Sequence, residues 1–254
     1  MGVNMQNTLL EAPGTTKHTV ELIAALSAPF PRELPLLPTA AALLLDATGL
    51  HAEALRHAED RLYTLYRSAA AAYADRHLIL AAPTPSDLCN KALLPAHLCA
   101  ALRVSPLCRL SLLFPPIGTV AEIDALRRLT EQAMCDLLRR GLPFDELVES
   151  YLSVGSLAAL EQARVFAEDA DRLVLDIDRL AASAAEPSQE ALLAAICSAA
   201  EDAHAVGRRA VAMGAGLLAG DLLPALVEAG VDALILPAAH LEPAAARLGA
   251  LCPC

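Results

Sequence analysis

Residues 110–146 read LSLLFPPIGTVAEIDALRRLTEQAMCDLLRRGLPFDE. The apolar run that opens this segment is short and ends at Pro115-Pro116, which predicts a buried parallel strand followed by a loop. Apolar residues then recur at helical spacing over 120–140, and Gly141 marks the end of that helix. Another apolar run follows at 151–154. The segment therefore predicts one strand, helix and strand unit of a parallel sheet.

The same alternation extends along the chain and predicts an α/β fold, a single (β/α)8 barrel of the TIM type, for which about 250 residues suffice. Strands are predicted at 20–25, 41–45, 77–81, 109–113, 151–154, 172–175, 209–213 and 231–236. Helices are predicted at 52–74, 88–102, 120–140, 157–167, 189–206, 221–229 and 241–248. Residues 1–17 are polar and predict a flexible N-terminal arm, which leaves 18–254 for the barrel.

Composition limits the classes of function. The chain is 56% hydrophobic, but no apolar run reaches the roughly 18 residues that a membrane span needs. The net charge of −11 argues against binding to nucleic acid or to anionic lipid surfaces. No secretory signal is visible, and seven cysteines without a regular framework predict reduced thiols in the cytoplasm. The pair Cys252 and Cys254 lacks partner ligands for a metal or redox site.

The order and spacing of several short motifs resemble a known family. The matching residues are Arg103, Leu110, Phe114-Pro115, Ile117, Val120, Glu122, Ala125-Leu126-Arg127, Phe144-Asp145-Glu146, Ala203-His204, Gly207, Ala219-Gly220-Asp221 and Gly230-Val231-Asp232. Over roughly residues 18–250 the chain resembles the C-terminal, phosphoenolpyruvate-binding barrel of the PEP-utilising enzymes, and enzyme I of the bacterial sugar phosphotransferase system most closely.

That resemblance implies a site that has lost the residues needed for catalysis. The family holds phosphoenolpyruvate with three arginines, binds magnesium with a Glu and an Asp, and uses a Cys as proton donor. The corresponding positions here are Leu45, Leu80 and Ala96, then Gly155 and Arg179, then the turn Ala215-Gly216-Leu217. None of these side chains can replace the lost groups, and residues 1–18 contain no phosphohistidine motif. The resemblance implies a degenerate pseudoenzyme with no catalytic residues.

Polar residues that follow the predicted strands are the remaining candidates for ligand binding, because such barrels bind ligands at the C-terminal ends of their strands. They are Asp46, Asp87, Asn90, Asp176, Asp178 and His240. Asp176 and Asp178 would face the same side of a continuing strand and could then bind a metal ion, or they could instead cap the next loop or helix. Asp87 is best placed to cap the helix that begins at 88.

Three functions remain open. The first is a non-catalytic barrel without a cofactor that binds a protein partner or forms a dimer, since the family's barrel is also its dimerisation domain. The second is a sensor of a small anionic metabolite, bound at the barrel mouth. The third is a magnesium-dependent enzyme acting on a ligand similar to phosphoenolpyruvate or pyruvate, with Asp176 and Asp178 as metal ligands.

Overall fold

Eight parallel strands, hydrogen-bonded in chain order, close into one barrel. The computed structural model describes residues 20–27, 37–46, 58–73, 76–83, 90–183 and 189–251, without the side chains of 90–92 and 189. The strands are β1 Glu21–Ser27, β2 Ala42–Asp46, β3 His77–Ala81, β4 Leu110–Ile117, β5 Glu149–Val154, β6 Arg172–Asp176, β7 Arg209–Met213 and β8 Ala233–Pro237. The predicted (β/α)8 barrel is confirmed. The predicted arm and its boundary lie outside the described residues.

Helices surround the barrel. They are α1 Ala58–Ala72, α2 Asn90–Val104, α3 Val120–Arg139, α4 Leu157–Leu160, α5 Ala163–Glu168, α6 Ile177–Ser183, α7 Gln189–Ala205, α8 Leu222–Glu228 and α9 Leu241–Leu251. The helix predicted at 157–167 is two short helices, and α6 was not predicted because it begins directly after β6 without a loop. Within the described ranges, no helix combines the length and the apolar character needed to span a membrane.

Strand β4 is longer than its sequence suggested. The prediction that it ends before Pro115-Pro116 was wrong, since β4 continues to Ile117. The pairing with β5 passes from Phe114 opposite Leu152 to Ile117 opposite Val154, with a register shift between them. Proline lacks an N–H donor and is tolerated at such an irregularity, where the regular ladder is already interrupted.

Helix α3 begins where the sequence predicted, because its first turn carries a complete capping box. The Thr119 hydroxyl accepts a hydrogen bond from the backbone N–H of Glu122, and the Glu122 carboxylate accepts one from the backbone N–H of Thr119. After the helix ends, Gly141 adopts a φ of 65°, which glycine reaches without steric cost.

The core has two layers, which strand alternation separates. One set of strand residues fills the barrel interior: Ile23, Ala42, Leu44, Ile79, Ala81, Leu113, Tyr151, Val174, Val211, Ala233 and Ile235. The alternate residues, such as Leu43, Leu45, Leu78 and Leu80, lie between the strands and the helices. Position along a strand therefore decides whether a side chain can reach the barrel axis.

Candidate functional site

The C-terminal ends of the strands surround an open cavity of about 390 Å³. Parallel α/β barrels place their ligand sites at this end, and the volume lies within the usual range of small-molecule pockets. Strand ends from β2, β3, β4, β5, β6 and β7 contribute to it. The polar side chains that line it are Asp46, Ser153, Asp176, Asp178 and Arg179. We call this cavity the C-terminal mouth.

Asp176 is the last residue of β6 and is only 7% exposed. Its Oδ1 accepts a hydrogen bond from the backbone N–H of Arg179 at 3.1 Å, and its Oδ2 lies 3.3 Å from the Arg179 Nε. Burial raises the pKa of this carboxyl above its usual value, against the opposing effect of Arg179. A buried carboxyl with a raised pKa in a cleft is a typical candidate for ligand binding or proton transfer.

Asp178 lies in the first turn of α6 and holds the loop that follows β7. Its two carboxylate oxygens accept hydrogen bonds from the backbone N–H groups of Ala215 at 2.8 Å and Gly216 at 2.9 Å. A Cβ atom at Gly214 or Gly216 would stand within 2.9 Å of this carboxylate. The loop therefore approaches Asp178 as closely as it does because both positions are glycine.

The arrangement of the two aspartates differs from the one that the metal hypothesis needed. Strand β6 ends at Asp176, so Asp178 is a helical residue and not the next inward position of a strand. Both carboxylates line the same cavity, but each already accepts backbone N–H donors. Asp176 thus caps the helix that follows it, which was the alternative interpretation, whereas Asp178 binds a loop that is distant in the chain.

Arg179 is the single cationic residue among the described residues that line the mouth. Its side chain is more than half exposed and packs over Gly155, where an added Cβ would be 3.0 Å from the Arg179 Cδ. The absence of a side chain at Gly155 thus gives the arginine its path across the mouth. Its guanidinium has donors available for a ligand oxyanion beyond the one near Asp176.

Ser153 was not recognised from the sequence. It lies on β5 opposite Val174 of β6. Val174 comes two residues before Asp176, so Ser153 and Asp176 face the same side of the sheet, the barrel interior. The Ser153 hydroxyl is buried, lines the mouth and has no hydrogen-bond partner among the described residues. The available signal was a lone serine at the C-terminal end of an apolar strand.

Of the other predicted site residues, the described structure places Asp46 at the mouth and does not place Asp87, Asn90 or His240 there. Asp87 lies outside the described residues, and Asn90 is the first residue of α2, with its side chain outside them. Asp46 ends β2 and lines the mouth, with an oxygen 3.5 Å from the Ser27 hydroxyl. His240 follows β8, but it does not line the mouth, and its buried Nδ1 lacks a partner within the described ranges.

The part of the chain that the structure describes contains no set of ligands that would support the magnesium alternative. There, no three His, Cys, Asp or Glu side chains are grouped so that they could hold a metal ion. A hard cation such as Mg²⁺ prefers several oxygen ligands in octahedral geometry. Cys252 and Cys254 lie outside the described residues.

The chain shares its fold with solved structures. An HpcH/HpaI aldolase/citrate lyase family protein from Burkholderia cenocepacia has 15% identity and a TM-score of 0.59, over 91% of this chain and 93% of that one. A citrate lyase from Burkholderia xenovorans has 15% identity and a TM-score of 0.65, over 97% and 81%. RipC from Yersinia pestis has 14% identity and a TM-score of 0.61, over 90% and 94%. No protein-family model and no curated protein sequence matches the chain.

These similarities correct the family resemblance drawn from the sequence. Two of these neighbours are named as an aldolase/citrate lyase family protein and a citrate lyase, a different barrel family from the PEP-utilising enzymes, so the resemblance to enzyme I was wrong. The strand register shows one error directly. Leu45 and Leu80, aligned with two phosphate-binding arginines, pack against the helices, whereas their neighbours Leu44 and Ala81 line the mouth. At these identities the similarity establishes the barrel fold alone.

Proposed function

We propose that the protein binds a small carboxylic acid that also carries a hydroxyl or carbonyl oxygen, and that it does so at the C-terminal mouth. The observation that carries the proposal is the Ser153 hydroxyl, which is buried in the mouth with no partner among the described residues. An unpaired buried hydroxyl costs on the order of 1–3 kcal/mol, and a ligand oxygen would remove that cost. Ser153 and Asp176 together would hold the hydroxyl or carbonyl oxygen.

Arg179 supplies the charge that the carboxylate requires. Planar guanidinium groups bind carboxylates with two parallel hydrogen bonds, and this side chain is exposed at the rim of the mouth. The negative charge of Asp178 is offset by two backbone N–H donors, and Asp176 is paired with Arg179 itself. A ligand carboxylate can therefore approach Arg179 without meeting a bare aspartate pair.

The names of two structural neighbours support this chemical class. Their descriptions name aldolase and citrate lyase proteins, which suggests organic acids of the citrate type as first probes. We further propose that binding needs no divalent cation. The support is that Asp176 and Asp178 already use their oxygens for protein hydrogen bonds, which a metal ion would have to replace.

Isothermal titration calorimetry with citrate and with pyruvate tests the proposal. We expect saturable binding of at least one probe, weakened about tenfold or more by Arg179→Gln, because a hydrogen bond to a charged group contributes about 1.5–3 kcal/mol. Ser153→Ala should also weaken it. Arg164→Gln, at an exposed arginine of α5, is the matched control and should bind as the native chain does.

The same titrations separate the two parts of the proposal. Absence of saturable binding for both probes, or equal binding by Arg179→Gln and the native chain, contradicts the mouth as a carboxylate site. Titrations in magnesium and in EDTA should give the same affinity. Binding that appears only with magnesium would overturn the metal-free part and leave the ligand class in place.

Self-association is a second candidate function, because three exposed leucines lie at the N-terminal end of the barrel. Leu107, Leu138 and Leu147 are 51%, 63% and 87% exposed. They occur after α2, at the end of α3 and just before β5, which are all at this end. Sedimentation velocity should show a dimer that dissociates in Leu138→Gln/Leu147→Gln but not in the control Val120→Gln. A monomeric native chain would contradict it.

A further inference from the structure

The N-terminal end of the barrel, opposite the mouth, carries four arginines around a second cavity of about 280 Å³. Arg109 directly precedes β4, Arg172 begins β6, and Arg208 and Arg209 stand at the start of β7. All four line the cavity. The chain as a whole has a net charge of −11, so this local concentration of positive charge is opposite to the overall balance.

The positive charges are only partly compensated. Glu21 contacts two arginines, with Arg172 at 2.9 Å and Arg209 at 3.4 Å. Arg109 pairs with Glu149 at 2.7 Å, and Arg208 is 3.6 Å from Asp171. These contacts involve four arginines and three carboxylates, which leaves one unit of positive charge. Within these contacts a single carboxylate, Glu21, is shared by Arg172 and Arg209.

Strand pairing brings two of the arginines side by side. Arg172 on β6 and Arg209 on β7 are register partners, and like charges directly opposite on neighbouring strands are unfavourable. Arg172 is buried and lies with its guanidinium 5.2 Å from the Tyr151 ring centre, so its position is fixed. Arg209 and Arg109 are largely exposed. A bound anion would supply the negative charge that the four arginines lack, and the exposed arginines can contact it.

The backbone leaves room for such an anion. Gly207 lines the cavity next to Arg208 and has a φ of 73°, and an added Cβ there would meet nothing within 4 Å. The turn between α7 and β7 therefore presents Arg208 and Arg209 beside open space. Guanidinium groups hold phosphate through paired, charge-assisted hydrogen bonds, and each has five N–H donors in a fixed geometry.

We propose that this end of the barrel is a binding site for a phosphate group, either free phosphate or the phosphate of a small monoester. Buried Arg172 provides the fixed positive charge, while Arg208, Arg209 and Arg109 contact the phosphate oxygens. The site is separate from the C-terminal mouth, because the two lie at opposite ends of the strands and share no lining residue.

Calorimetric titration with inorganic phosphate and with phenyl phosphate, at low and at 0.5 M NaCl, tests the proposal. We expect saturable binding that weakens with salt, since the exposed charges are screened. Arg208→Gln and Arg209→Gln should each lose about tenfold in affinity, as expected for a hydrogen bond to a charged group. Arg139→Gln, an exposed arginine at the end of α3, should bind phosphate normally.

The outcomes distinguish a phosphate monoester from free phosphate as the ligand, and they show whether phosphate binds at all. Tighter binding of phenyl phosphate than of phosphate assigns the site to a monoester, and the reverse assigns it to the free ion. Absence of saturable binding of either probe by the folded native chain overturns the proposal, as does equal binding by Arg209→Gln and Arg139→Gln. Circular dichroism verifies that each variant is folded. Arg209→Gln should bind citrate as the native chain does. Failure of the phosphate proposal would therefore leave the proposal for the C-terminal mouth unaffected.

Discussion

The carboxylate of Asp178 accepts a hydrogen bond from the backbone N–H of Gly216 at 2.9 Å, across the boundary between α6 and the loop that follows β7. The contact is close because Gly216 has no side chain. A Cβ atom at that position would be 2.8 Å from the Asp178 Oδ1.

Replacing Gly216 by alanine should destabilise the protein by about 1–3 kcal/mol, because Asp178 would have to move and its backbone donors would lose their acceptor. Urea unfolding measures the change. Gly249→Ala is the matched control, since nothing lies within 4 Å of a Cβ there and alanine favours helix α9. In an Asp178→Ala background the cost of Gly216→Ala should shrink, and an unchanged cost would contradict the contact as its cause.

Stability should fall as the pH is lowered from 6.5 to 4, and His77 is one reason. Burial lowers the pKa of His77 to about 4, and nearby Arg109 adds to the effect. Between these pH values the unfolded chain binds a proton at this residue and the folded chain does not, so acid favours unfolding. His97, whose pKa burial lowers to about 3, acts in the same direction.

The His77 contribution is measurable by urea unfolding at pH 7 and at pH 5. His77→Gln, which can still hydrogen-bond to the Ser111 hydroxyl, should reduce the loss of unfolding free energy between the two. The expected difference is on the order of 1–3 kcal/mol. An identical pH dependence in the variant would mean that His77 has the same pKa in the folded and unfolded chain, which would contradict the prediction.

The stability of the junction between α1, α2 and α3 should depend on Glu59. This carboxylate contacts Arg140 at 2.8 Å and Arg103 at 2.7 Å, and the Arg103 guanidinium also stacks 3.9 Å from the Tyr63 ring centre. The hydrogen bond from Arg140 lowers the pKa of Glu59, and Arg103 adds to this against the effect of burial. Glu59→Gln should cost about 1–2 kcal/mol in thermal or urea unfolding.

The contribution of Glu59 to the free energy of unfolding should also depend on pH. Because the folded pKa lies below the unfolded one, the Glu59 contribution is present above pH 4.5 and disappears as the pH falls through the lowered pKa. Arg139→Gln, which removes an exposed ion pair with Asp136, should change stability by less than about 0.5 kcal/mol. Equal effects of the two substitutions would contradict a special role for Glu59.

Two buried tyrosines should respond differently to loss of their hydroxyl. The Tyr66 hydroxyl lies 2.8 Å from the His97 Nδ1, whereas the Tyr151 hydroxyl makes no hydrogen bond of good geometry among the described residues, although Ser111 is near. Tyr66→Phe should cost about 1–3 kcal/mol, because it leaves buried His97 without that partner. Tyr151→Phe should not destabilise the protein in the same unfolding assay and should stabilise it by up to about 1–3 kcal/mol, because it removes a buried hydroxyl without a partner among the described residues. Equal costs would contradict the assignment.

The parts of the fold that local chemistry controls were predictable from the chain. The capping box at Thr119 and Glu122 fixed the start of α3, and the alternation of apolar runs gave eight strands in the right order. The failures came where a local stop signal was overridden or was missing. Strand β4 continues through its two prolines, because its pairing with β5 is irregular there. Helix α6 begins directly after β6, so no loop residue in the sequence marked the boundary between Asp176 and Asp178.

The sequence by itself determined that this chain forms a barrel, because hydrophobic periodicity and helix caps act over a few residues and need no distant partner. Only the tertiary structure decided what lies at the two ends. Ser153 and Arg179 meet at the mouth, and Arg109 and Arg209 meet at the other end, although 100 residues separate the latter pair in the chain. Closure of the barrel makes them neighbours, and one residue of strand register decides which side chains face the axis.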